Sequence, residues 1–494
     1  MGSSVRLYSS TSVSHFYARR GLSENLRSLI NSNIQSLGEE ITPGSTYSSG
    51  QLGKPSQLEL AQAKLKQAMA HFKLPKQFNQ LDFQQFANGF FQAEGHIGCR
   101  IRPGVGSGFF PVFTINQNLT DKTMEIFLTL WHVLGRTCSL TVQLSRSGKT
   151  ILVLRSENWG FILGVAKEYF SYVYGEKFIN FLRLADIKEL VQSGTNEDLY
   201  KAILIVYSLS LTGLQRLKTR REVRITFNIP VSLNSKDQEE MKLPEYSDNK
   251  TLLTIPFLIG FIVGDGTLFL RLRRSTTGVL WIIPMLFLPQ VSTAHNQYFM
   301  RCLSQCLLQH NVPFITQNVN NMVLIKVEGI KRMFGHMLPL LMKYPHLFYH
   351  KYPTLELFIR VQRLMNRGAH LTQPGMEKIL NLCYGYPNQR TNPLEYWLDT
   401  ATSYFSVQSS GTNSGYQNIQ GLHGYGDQKD QLVCWKVTAP NSQSKFRTPP
   451  FLPKRFKFHD EESKLNALLS ALDYRDTKIE NWIKDIDNYD NEWL

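Results

Sequence analysis

Residues 86–95 read FANGFFQAEG, and residues 257–266 read FLIGFIVGDG. Both stretches are apolar, place small residues four positions apart, and end in one acidic residue followed by glycine. Small residues four apart lie on one face of a helix and allow a second backbone to approach closely. Glycine suits the left-handed residue that closes a helix, so both stretches are predicted to be helix C-termini. We expect the two helices to pack against each other through these faces.

Such packing would bring two carboxylates, Glu94 and Asp265, to the same end of the helix pair. An acid at a helix C-terminus faces the negative end of the helix dipole, and two neighbouring acids repel each other. Two interpretations stay open on these stretches alone. Each acid points separately into water, or the two share a divalent metal ion that offsets both penalties.

The residues that follow the two acids also repeat, which indicates an internal duplication. Each acid is followed by a glutamine 23 or 25 residues later and by a lysine 83 or 86 residues later. Each glutamine ends a strand-like run with a proline six positions earlier, and each lysine precedes an aromatic residue and an amphipathic segment. The repeated residues are Gln117 and Gln290, and Lys177 and Lys351.

The hydropathy pattern after each acid alternates between strands and helices, so the predicted fold class is mixed α+β. In the first half it predicts strands over 96–102 and 110–117, a helix over 120–135, strands near 137–144 and 150–155, and helices over most of 157–217. Arginines recur at alternate positions of the first predicted strand in each half: Arg100 and Arg102, then Arg271 and Arg273.

Matched position by position, the two stretches resemble the LAGLIDADG family of homing endonucleases and intron maturases, in its two-motif, single-chain form. Glu94 and Asp265 fall on the family's metal-binding acid, and the resemblance covers about residues 80–385. The departures are Asn88 and Ile259 at a usually small position, Gln92 and Val263 at an earlier, non-catalytic acid, and Gly264 in place of the second alanine. None of these departures removes a catalytic group.

The resemblance implies two pseudo-symmetric αββαββα half-domains that pack through their motif helices, with two sheets forming a saddle over DNA. It implies a monomer that cuts both strands of a double-stranded DNA target, using Mg²⁺ or another divalent metal held by Glu94 and Asp265. It also implies catalytic roles for Gln117 and Gln290, as strand-borne polar residues, and for Lys177 and Lys351, as active-site lysines. The nucleic-acid-binding residues are then expected to include Arg100, Arg102, Arg271 and Arg273.

Three classes of function stay open. They are a site-specific, intron-associated DNA endonuclease, an RNA maturase that assists splicing of a group I intron, and a non-catalytic RNA-binding component of a ribonucleoprotein. The presence of both acids favours the endonuclease. A net charge of +15 over 494 residues favours a nucleic-acid partner over a membrane. No apolar run reaches the roughly 18 residues that a membrane helix needs.

Residues 1–23 contain arginines, many serines and threonines, and no acid, which is typical of a mitochondrial presequence. The alternative interpretations are a disordered N-terminus and the remnant of an upstream reading frame in an organelle intron. A chloroplast is the alternative location. The predicted divisions are a presequence-like and flexible N-terminus (1–56), a first half-domain (57–230), a linker (231–250), a second half-domain (251–400), a flexible linker (401–430) and a small C-terminal domain (431–494).

The C-terminal segment 431–457 interleaves basic with aromatic residues. Trp435 and Phe456 stand near Lys454, Arg455 and Lys457 in the sequence. Such interleaving suits nucleic-acid contact. A small structural appendage explains the same pattern, and both interpretations stay open.

Overall fold

The computed structural model of the protein divides into two compact units, residues 1–80 and 81–494. The residues described are 56–75, 78–102, 108–145, 147–209, 253–274, 280–385, 392–409, 422–426, 432–437, 454–457, 459 and 461–493. In the first unit they form one helix, α1 (Gln57–His71), which begins at a capping box between Ser56 and Glu59. The sequence assigned this helix to the first half-domain. The predicted presequence and the 231–250 linker lie outside the described residues.

The first half of the second unit is a helix-covered antiparallel sheet. Its elements are α2 (Gln80–Glu94), β1 (Gly95–Ile101), β2 (Phe109–Asn118), α3 (Asp121–Val133), β3 (Ser139–Leu144), β4 (Thr150–Ser156), α4 (Gly175–Ser193) and α5 (Asn196–Ser208). The four strands lie in the order β1-β2-β4-β3. These strands and α3 agree with the predicted ranges to within two residues.

The second half repeats this arrangement. Its elements are α6 (Ile255–Gly264), β5 (Thr267–Arg274), β6 (Leu280–Val291), α7 (Ala294–Gln309), β7 (Ile315–Val319), β8 (Met322–Glu328), α8 (Tyr352–Asn366) and α9 (Gln373–Tyr384). The strand order is β5-β6-β8-β7, which matches the first sheet. The mixed α+β class and the two-half architecture are therefore confirmed.

Corresponding local signals set the element boundaries in both halves. The helix after the second strand begins at a threonine whose hydroxyl accepts a hydrogen bond from a backbone amide, Thr120 for α3 and Thr293 for α7. A threonine at this position satisfies an amide that the first turn of a helix leaves without a partner. Thr254 caps α6 in the same way, and Pro256 occupies its first turn, where the missing amide costs nothing.

The two motif helices pack as predicted, through their small residues. A Cβ at Gly89 would overlap the carbonyl oxygen of Phe257 and lie 2.9 Å from the amide nitrogen of Phe261. A Cβ at Gly260 would overlap the carbonyl of Phe86. Because backbone meets backbone at this crossing, α2 and α6 are held in one register, and their C-termini end together.

The C-terminal part adds a helix, a small sheet and a second helix. These elements are α10 (Leu394–Ser409), β9 (Leu422–Gly426), β10 (Leu432–Val437), β11 (Lys454–Lys457) and α11 (Glu461–Trp493). α10 continues into the range for which the sequence predicted a flexible linker. The strands form an antiparallel sheet in the order β11-β10-β9, against which α11 packs.

None of the helices in the described part of the chain is long and apolar enough to span a membrane.

Candidate active site

The two acids lie side by side where the motif helices end. Glu94 is the last residue of α2, and Asp265 follows the last residue of α6. A Cβ at Gly264, the residue before Asp265, would stand 3.2 Å from Cγ of Glu94. The close crossing of two small-residue faces therefore juxtaposes one carboxylate from each half.

The glycines that follow the acids are required for a reason other than the predicted one. Neither Gly95 nor Gly266 has a positive φ, so the expectation of a left-handed helix closure was wrong. A Cβ at Gly95 would overlap the ring of Phe91, and a Cβ at Gly266 would lie 2.6 Å from Cα of Ile262. In the first half the helix passes directly into β1, and in the second half two residues separate the helix from β5. At both positions only glycine leaves room for the preceding turn.

Each acid is held by the glutamine predicted from the repeat. Nε2 of Gln117 donates to Oε1 of Glu94 over 2.7 Å. Nε2 of Gln290 donates to Oδ2 of Asp265 over 3.2 Å. Both glutamines lie on the helix-covered side of their sheets, on β2 and β6. An amide donor fixes a carboxylate without adding a charge, so each acid keeps an oxygen for another ligand.

The two predicted lysines bind the backbone of the turn that carries the acid. Nζ of Lys177 donates to the carbonyl of Gly95. Nζ of Lys351 donates to three carbonyl oxygens, those of Ile262 at 2.7 Å, Gly264 at 3.0 Å and Gly266 at 2.6 Å. Each lysine therefore lies beneath the acid–glycine turn of its own half.

The charges of the site are coupled across the two halves. Burial raises the pKa of Glu94, and the Asp265 carboxylate raises it further. Burial also raises the pKa of Asp265, which the ammonium groups of Lys177 and then Lys351 oppose. Burial lowers the pKa of both lysines, to about 8 for Lys351. Lys177 interacts most strongly with Asp265, and Lys351 with Glu94. Each acid is thus neutralised chiefly by the lysine of the opposite half.

A cavity of about 400 Å³ opens beside Asp265 on one side of the helix pair. Asp265, Gln290 and Lys177 line it together with His96 and Glu176. The cavity gives a ligand access to one carboxylate and one lysine from different halves.

Two motif departures in the first half hold the loop that precedes Lys177. The side chain of Asn88 donates to the carbonyl of Tyr169 over 3.0 Å and accepts from the amide of Tyr172 over 3.0 Å. Oε1 of Gln92 accepts from the amide of Tyr174 over 2.8 Å. Sequence reasoning noted these departures but gave them no role.

A second missed feature is the backbone two residues before each lysine. Gly175 has φ 54° and Tyr349 has φ 42°. The left-handed region costs a non-glycine residue about 1–3 kcal/mol. The partly buried Tyr349 ring packs 5.2 Å from that of Phe86, which offsets part of this cost. The sequence shows Gly175 two residues before Lys177, but nothing in it indicates a positive φ at Tyr349.

The four predicted arginines lie exposed on the open faces of the two sheets. Arg271 and Arg273 alternate along β5. Arg100 and Arg102 stand 3.9 Å and 3.6 Å from Oε1 of Glu157, which also pairs with Arg155. The sequence gave no role to Glu157, which partly neutralises the basic surface of the first half.

The two open faces differ in polarity at the ends of their strands. In the first sheet, Asn118 pairs with Ile151, which pairs with Gln143. In the second sheet the corresponding row is apolar and exposed: Val291 is 49 % exposed, Met322 38 % and Val319 49 %. The duplication has therefore diverged on the surface more than at the acids.

Solved structures with the same fold are LAGLIDADG homing endonucleases. The I-LtrWI LAGLIDADG homing endonuclease bound to target DNA has a TM-score of 0.51 at 18% identity, covering 63% of this chain and 100% of that chain. Two lysine-to-alanine mutants of I-SmaMI have TM-scores of 0.50 at 18% and 19% identity, covering 64% and 62% of this chain and 100% and 99% of theirs. No family model and no curated protein sequence matches the chain.

The chain therefore has the fold of the single-chain, two-domain LAGLIDADG homing endonucleases, as the motif resemblance predicted. At these identities the likeness establishes the fold, and the activity has to be argued from the site.

Proposed function

We propose that this protein is a site-specific DNA endonuclease that hydrolyses both strands of a duplex with a divalent metal, Mg²⁺ in the first instance. One observation carries the proposal. An acid, a glutamine and a lysine from each half converge at the shared end of two packed helices. Two sheets with exposed arginines flank this site. Two equivalent sets of groups about a pseudo-twofold axis suit one cut in each strand of a duplex.

The two carboxylates fit a divalent metal. They are partly buried, and the pKa of each is raised, so a shared cation would offset desolvation and repulsion together. Among the described residues, no three His, Cys, Asp or Glu side chains are grouped to hold an ion. Mg²⁺ commonly uses one or two carboxylates and completes its shell with water and phosphate oxygens. When bound, such an ion supplies positive charge against the phosphate and acidifies water.

The remaining groups of the chain orient and neutralise. Gln117 and Gln290 hold the two carboxylates in place and stay neutral throughout. Lys177 and Lys351 place a positive charge within reach of the acid from the other half, where it stabilises negative charge that develops on a phosphate. Because their carbonyl partners fix both ammonium groups before substrate arrives, little reorganisation is needed during the reaction.

The open faces of the sheets supply the DNA contacts in this proposal. Arginine on alternate strand positions contacts guanine edges or neutralises phosphates. The exposed row of Val291, Met322 and Val319 suits thymine methyl groups, which polar side chains read poorly. I-LtrWI, which shares the fold, was solved with its target DNA, and this supports a duplex as the partner.

Cleavage of DNA from the source organism tests the proposal. Fragmented nuclear and organellar DNA is incubated with the protein and Mg²⁺, and the new ends are mapped by sequencing. We expect ends at one site or a few related sites, with the two strands cut a few base pairs apart. An absence of new ends, together with tight binding to a group I intron RNA, would instead support an RNA maturase.

A further inference from the structure

The C-terminal sheet has one face toward α11 and one face away from it. Residues alternate between the faces along β11. The ring of Phe456 lies 5.8 Å from that of Tyr474 in α11. The ammonium of Lys454 lies 4.8 Å from the centre of the same Tyr474 ring. The face that carries Lys454 and Phe456 is therefore turned toward α11, and the face that carries Arg455 and Lys457 is turned away.

The face turned away from α11 is basic. Arg455 and Lys457 are both exposed. The strand register pairs Arg455 with Lys436 of β10, and Lys436 with His423 of β9. Paired positions share a face of the sheet, so two basic residues, Lys436 and Arg455, occupy adjacent positions there, and the register places His423 next to Lys436.

The sheet is anchored to the second half through α11. Arg475 of α11 is only 2 % exposed. Its Nη2 donates to the carbonyl of Leu371 over 3.0 Å, and its Nε donates to Asp476 over 2.7 Å. A buried, paired guanidinium of this kind is costly to expose. The basic face is therefore held at a defined place on the molecule.

We propose that this face is a second DNA-binding surface, which holds the phosphate backbone of duplex DNA outside the segment covered by the two large sheets. The proposal rests on the proposed function for its choice of DNA as the polyanion. The dimensions agree with a DNA backbone. Three strands spaced 4.7–4.9 Å apart form a face about 10 Å across, which spans about three successive phosphates of one DNA strand at about 3.4 Å of helix axis each.

The alternation along β11 supplies a matched set of variants for the full-length chain. Arg455→Ala and Lys457→Ala each remove one charge from the open face. Lys454→Ala removes the same charge from the face toward α11. Affinity for a duplex of arbitrary sequence is measured against salt concentration, after circular dichroism has established that each variant is folded.

Each of the two open-face variants should flatten the slope of log affinity against log salt by about 0.9, the amount expected for one lost phosphate contact. If affinities converge at 1 M salt, this slope makes each variant roughly eightfold weaker at 0.1 M. The Lys454→Ala variant should keep the slope of the unmodified protein.

Equal slopes for all four proteins would overturn the proposal. An equal loss of duplex affinity in Lys454→Ala would also overturn it, because the effect would then reflect net charge and not one face of the sheet. So would variants that lose affinity for an RNA hairpin and keep their affinity for the duplex. The same variants distinguish a failure of this proposal from a failure of the proposed function. If the protein cuts no DNA but depends on Arg455 and Lys457 for duplex binding, the endonuclease function is contradicted and the second DNA-binding surface is supported. A protein that cuts its site, with both variants binding as the unmodified protein does, would contradict the surface alone.

Discussion

Adding a single methyl group where the two motif helices cross should destabilise the protein. In Gly89→Ala, the new Cβ would overlap the carbonyl oxygen of Phe257. The obstacle is backbone, so rotation of a side chain cannot relieve it, and the helices must separate by on the order of 1 Å to reach normal contact. Overpacking of a core costs about 1–3 kcal/mol and occasionally more, and a backbone clash belongs at the upper end.

Replacing a helical glycine with alanine also returns about 0.5–1 kcal/mol of helix propensity. The net loss for Gly89→Ala is therefore about 2 kcal/mol or more in the free energy of unfolding. Gly260→Ala should behave alike, because its Cβ would meet the carbonyl of Phe86. Separation of the helices would also move Glu94 away from Asp265 and slow any reaction that needs both.

Two glycines at corresponding positions, one in each half, provide the control. Gly164 and Gly335 lie in helical turns, and a Cβ at either would meet no atom within 4 Å. Alanine at these positions should be neutral or stabilising. Urea unfolding, followed by circular dichroism, compares the four variants. If Gly89→Ala unfolds at the same urea concentration as Gly164→Ala, the helices do not cross at this glycine.

Three further outcomes follow from the site. Gln92→Val introduces the residue that the second half has at this position, Val263. It should lower the cleavage rate without weakening DNA binding, because it releases the loop before Lys177. An unchanged single-turnover rate would contradict this. Glu157→Gln should tighten binding to any duplex and steepen its salt dependence, because it unmasks three arginines; weaker binding by filter retention would show that Glu157 itself contacts DNA. With the metal chelated, Glu94→Gln should raise the melting temperature at neutral pH. The pKa of Glu94 is higher in the folded protein than in the unfolded chain, so the ionised carboxylate destabilises the fold. This destabilisation is absent below the ordinary pKa of a glutamate and fully present above the raised pKa of Glu94. The gain should vanish near about pH 4, and an equal gain at both pH values would exclude the burial of the ionised carboxylate and its repulsion from Asp265 as the cause.

The sequence was informative wherever the duplication preserved spacing. The acids, their glutamine partners and the lysines recur at nearly equal intervals, and the structure brings all six side chains to one end of the helix pair. Strand boundaries were also predictable, because alternating hydropathy is a local signal.

Long-range hydrogen bonds and backbone strain were not predictable in the same way. The amides bound by Asn88 and Gln92 lie more than 80 residues away in the chain, and no local pattern marks such pairs. Gly95 was assigned a left-handed backbone because that is the usual reason for glycine after a helix, whereas contact with Phe91 is what requires it. The left-handed Tyr349 depends on tertiary packing around its ring.

Cleavage of a plasmid that carries one target site tests the shared metal site most directly. The unmodified protein should linearise the plasmid with Mg²⁺ and leave it intact with a chelator. Glu94→Gln and Asp265→Asn should each abolish linearisation while retaining DNA binding, because the carboxylates serve the reaction and the sheets carry the affinity. Asp82→Asn, which removes the same charge from the opposite end of α2, should cut normally. Linearisation at the normal rate by either Glu94→Gln or Asp265→Asn would contradict the assignment of one site built from both halves.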